Sequence, residues 1–105
     1  SLAFEGIQAG SLAGFHENEV SRLVNYAATE GKPEVWSRIG QSMQQIVEDP
    51  AKYNMSPKAL AELKRGYDAH VASTGAAPDA TLDLYMGQVR SDGTLEHVTR
   101  PKTTI

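Results

Sequence analysis

The stretch from residue 79 to residue 105, DATLDLYMGQVRSDGTLEHVTRPKTTI, decides whether this chain is all helical or carries a sheet. Leu82, Tyr85, Met86 and Val89 recur at the spacing of an amphipathic helix. Leu82, Leu84 and Met86 also alternate with Asp83, Tyr85 and Gly87, as a half-buried strand does. The run Ser91-Asp92-Gly93-Thr94 has the composition of a tight turn between two segments containing Val and Thr. On the strength of that turn we expect a β-hairpin with strands over residues 82–90 and 95–100, then a tail over 101–105. The alternative is an all-α chain with a fourth helix over 79–90.

Working back from this segment, three helices precede it. The one nearest has the clearest start: Ser56 can cap, Pro57 suits the first helical position, and Met55 and Leu60 have the spacing of a hydrophobic staple. Leu60, Leu63, Tyr67 and Val71 form its apolar stripe, and Thr74-Gly75 ends it. The next carries Pro33 at its start and Val35, Trp36, Ile39, Met43, Ile46 and Val47 on one stripe, opposite Glu34, Arg38, Gln41, Gln45 and Glu48; Pro50 ends it. Gly40 in its middle marks a close crossing or a tolerated weak point. The first helix follows His16, with Val20, Leu23, Val24 and Ala27 on one face, Glu19 at the third helical position and Gly31 available as a left-handed cap.

The opening residues, SLAFEGIQAGSLAGF, resist the same treatment. Gly6, Gly10 and Gly14 would each cost a soluble helix about 1 kcal/mol relative to Ala. Residues 1–15 therefore read as an apolar arm carrying Leu2, Phe4, Ile7, Leu12 and Phe15, with one globular domain over 16–100. The fold class expected is α+β and mainly helical.

Composition narrows the functional classes. The chain of 105 residues is 40% hydrophobic and 22% charged, an ordinary globular balance for one domain. A net charge of −3 gives a field that mildly repels phosphate backbones and anionic headgroups, so nucleic acid is a poor first candidate. No apolar run reaches membrane-spanning length, and no secretory leader is visible. A chain without cysteine has no disulfide framework, thiolate zinc site or thiol nucleophile, and the cytoplasm is the default compartment. The short phosphate-loop, dinucleotide, hydrolase-elbow and zinc-protease signatures are missing, so no cofactor or metal is expected.

What remains is a set of isolated ionisable residues. His16 and Glu19 stand at i,i+3 and could converge, but acidic side chains beside a helix start ordinarily cap it. His70 lies one turn beyond Tyr67 on the third helix, where the two could serve as a general base and a phenol lining a pocket. The more common role of such a His is structural. Asp68 lies on another side of that helix. His97, between Glu96 and Val98, reads as an exposed strand residue. Trp36 and Tyr26, Tyr53, Tyr67 and Tyr85 have no basic residues gathered about them, which favours packing over base stacking.

The function expected is a non-enzymatic protein-interaction or assembly module, partnered by another protein or by itself as a homo-oligomer. Three short helices offer a small core, while the arm and the hairpin edge leave surface to cover. The alternative is a small enzyme using His70 and Tyr67 as an acid–base pair, joined by His16 and Glu19.

Overall fold

The computed structural model of the protein describes residues 12–96. Four helices follow one another: α1 (Glu17–Glu30), α2 (Pro33–Glu48), α3 (Pro57–Thr74) and α4 (Ala80–Met86). Their ends are set by local chemistry. Gly31 and Gly75 take left-handed φ values of 66° and 79° after α1 and α3, and their N–H groups return to the carbonyls of Ala27 and Val71. Pro33 and Pro57 occupy the first turns of α2 and α3, where a missing N–H is harmless. Ser56 Oγ accepts the Ala59 N–H at 3.1 Å, and Asp79 Oδ2 accepts the Leu82 N–H at 2.9 Å.

The expected β-hairpin does not form among the described residues; the all-α alternative fits instead. Residues 80–86 are helix α4, so the first strand is absent. Burial explains why the helical period prevails. A strand would place Leu84 on the covered face and Tyr85 on the open one, yet Leu84 is 62% exposed and Tyr85 6%. Leu82, Tyr85, Met86 and Val89 are all buried, the i, i+3, i+4, i+7 set of one helical stripe continued past its end. The turn that suggested a hairpin is nevertheless real. Val89 and Leu95 form an isolated antiparallel bridge, and Arg90 N–H donates to the Thr94 carbonyl at 2.8 Å. Asp92 Oδ1 accepts from the Thr94 N–H and hydroxyl, which holds its carboxyl below the usual carboxylate range. Gly93 has φ +88°, and its Cα faces the Pro57 carbonyl so closely that no side chain fits. Residues 97–100, the greater part of the second expected strand, lie outside the described residues.

The helices pack in two pairs, α1 with α3 and α2 with α4. Each pair has a glycine whose place a side chain could not take without meeting the partner segment. A methyl on Gly66 of α3 would collide with the Val24 side chain of α1. A methyl on Gly40 of α2 would lie 2.8 Å from Asp79 Oδ2 and 3.0 Å from the Leu82 backbone nitrogen. Gly40 is thus a close-approach residue between α2 and α4. The core joins residues from both pairs, among them Leu23, Ile39, Met43, Leu63, Leu82 and Met86. Leu12, ahead of α1, is fully buried in it, and Phe15 packs against it half-buried.

Candidate functional site

Trp36, Tyr67 and His70 meet where α2 faces α3. Trp36 is 2% exposed, as its place on the apolar stripe predicts, and its face carries the half-buried His70 ring, with centroids 4.8 Å apart and planes 28° apart. The Tyr67 ring meets the same indole in a T-shaped arrangement at 6.0 Å and 69°. Both contacts follow from the helical spacing of Tyr67 and His70, which sets the two rings one above the other on α3.

The phenol of Tyr67 has a partner. It donates to Asp83 Oδ1 of α4 at 2.8 Å. Burial first, then this hydrogen bond and the nearby carboxylates, push its pKa well above the ordinary value of 10.0. A phenol so placed keeps its proton and ties α3 to α4. His70 lines a groove of about 360 Å³ between α1 and α3, together with Ser21, Asn25, Glu62, Arg65 and Thr74. Tyr67 is not part of that groove lining. The histidine and the tyrosine therefore share Trp36 but open onto different surroundings.

His16 and Glu19 are brought together by capping. Glu19 Oε1 accepts the His16 backbone N–H at 2.8 Å, and the His16 side chain is exposed. His97 lies outside the described residues. Among the described residues no three His, Asp or Glu side chains converge as metal ligands would, and no helix is long and apolar enough to cross a membrane. The Glu62–Arg65 and Lys64–Asp68 pairs on α3 neutralise the charge that its sequence concentrates there.

Three residues to which sequence reasoning assigned no partner hold these elements in place. Asp83 receives the Tyr67 phenol, and Glu48 Oε2 receives the Tyr85 hydroxyl at 2.8 Å. Ser42, 1% exposed within α2, turns its hydroxyl oxygen to the Leu12 backbone N–H. Each contact joins residues 16 to 37 positions apart, beyond the reach of periodicity. No protein-family model, curated protein or solved structure matches the chain.

Proposed function

We propose that this chain is a non-enzymatic interaction module that assembles with a second copy of itself. The observation that carries this reading is the use the fold makes of its best catalytic candidates. Tyr67 spends its proton on Asp83, and His70 lies against Trp36 in a groove that Tyr67 does not line. An acid–base pair needs both groups within hydrogen-bond reach of one substrate, which that arrangement does not favour. Two further features support association. Leu84 on α4 is the large apolar side chain left exposed among the described residues. The sequence also sets Leu2, Phe4 and Ile7, which lie outside the described residues, ahead of the buried Leu12.

Light scattering of the full chain across a dilution series tests the proposal. The expected result is a dimer mass or higher at the concentrated end, falling toward the monomer on dilution. A monomer mass at every concentration overturns self-assembly as the function.

A further inference from the structure

We propose that the Asp92-Gly93 peptide bond is a masked modification site: the closed turn over residues 90–95 protects it, and opening of that turn lets the chain isomerise there to isoaspartate. Asp92 is the one aspartate of the chain that is followed by glycine, and no asparagine is. In such a pair no side chain on the following residue obstructs attack by its backbone nitrogen on the carboxyl carbon. The Gly93 nitrogen gives up its proton and bonds to Asp92 Cγ, the hydroxyl of the neutral carboxyl leaves as water with that proton, and a five-membered succinimide results. Water then opens the ring at either carbonyl. One product is the original aspartate; the other runs its main chain through Cβ and Cγ and is one methylene longer, with no atoms gained or lost overall.

The turn withholds both reactants. The Gly93 N–H donates to the Arg90 carbonyl at 2.8 Å, so the proton that must leave is engaged. Asp92 Oδ1 accepts the Thr94 N–H at 3.0 Å and the Thr94 hydroxyl at 2.7 Å, which ties the carboxylate to residue 94. Those bonds, with Arg90 nearby, also keep the carboxyl in its ionised form, whereas the reaction expels the hydroxyl of the neutral acid. Gly93 itself is buried, with its Cα against the Pro57 carbonyl at the head of α3, so the backbone has no room to swing its nitrogen onto Cγ. Isomerisation therefore proceeds from the open population of the turn. It also makes the opening permanent, because an added methylene displaces Gly93 from Pro57 and lengthens the link between Val89 and Leu95, the two ends of the bridge.

The full chain is incubated at neutral pH in buffer and, separately, in denaturant, then digested and analysed by mass spectrometry with electron-based fragmentation, which places isoaspartate residue by residue. Isoaspartate at residue 92 is expected to accumulate about tenfold faster or more in denaturant than in buffer, because the folded chain reacts only through its open fraction. Equal rates in the two solutions overturn the mask, and no isoaspartate at residue 92 in denaturant overturns the site. Thr94→Val removes the hydroxyl that binds Asp92 and keeps the branched shape of the side chain. This variant is expected to isomerise several-fold faster than the parent in buffer and at the parent's rate in denaturant. A rate unchanged in buffer, with helical circular dichroism retained, overturns the assignment of the mask to the Asp92–Thr94 bonds.

Discussion

The Trp36 indole stacks against His70 and meets Tyr67 in a T-shaped contact, so truncating it empties the place where α2 meets α3. Trp36→Ala is expected to destabilise the fold by about 3–5 kcal/mol in chemical denaturation, the range for a fully buried large aromatic. A loss below about 0.5 kcal/mol, the scale of ordinary surface changes, contradicts this packing. Gly66 presents the opposite problem. Alanine would improve helix propensity by about 1 kcal/mol, but its methyl would enter the space of Val24, a branched side chain with one preferred rotamer in a helix. Overpacking of this kind costs about 1–3 kcal/mol, so Gly66→Ala is expected to be neutral to destabilising by about 2 kcal/mol and not stabilising. A rise in the denaturation midpoint at unchanged slope would show that α1 and α3 separate more easily than the Gly66 contact implies.

Among the elements, α4 is the shortest, at seven residues, and gains least from its own hydrogen-bond ladder. Its cap therefore weighs heavily. Asp79→Ala removes the acceptor of the Leu82 N–H and is expected to cost about 1 kcal/mol. Amide exchange should quicken at Leu82 and Asp83 more than in α1; equal protection in variant and parent would mean that packing on α2 alone holds the helix. This element also shows what the sequence made legible. The ends of α1, α2 and α3 were readable because Ser56, Pro33, Pro57, Gly31 and Gly75 act within a turn of their own position. At α4 the helical set Leu82, Tyr85, Met86 and Val89 overlaps the strand set Leu82, Leu84 and Met86, and only burial, which leaves Leu84 exposed and Tyr85 covered, separates them. Asp79, three residues before Leu82, was the local sign of a helix start. The candidate site was legible in part: Tyr67 and His70 share a face of α3 as their spacing requires, whereas the Asp83 partner comes from an element assigned to a strand.

Over the whole molecule, the two helix pairs are joined through a short chain of contacts, from Trp36 on α2 to Tyr67 on α3 and from its hydroxyl to Asp83 on α4. The Tyr67 proton is therefore part of the joint, and alkaline pH acts on it. In the folded protein the phenol's pKa is raised above the ordinary value of 10.0 that it regains on unfolding. Below that value both states hold the proton and its contribution to stability is fully present. As the pH rises past it the unfolded chain loses the proton first, so the unfolded state binds fewer protons and stability falls. One such group can supply a slope of at most about 1.4 kcal/mol per pH unit. The chain has four tyrosines, so the contribution of this one must be isolated by comparison with Tyr67→Phe, which has no phenolic proton to lose. Denaturant unfolding from pH 8 to pH 11 is expected to show the parent more stable than the phenylalanine variant at the lower end, by the worth of the Asp83 hydrogen bond. That advantage should shrink above pH 10 as the parent alone releases this proton on unfolding. A difference between the two proteins that stays constant across the range would mean that the Tyr67 phenol ionises alike in both states, and that its bond to Asp83 does not secure the joint between the pairs.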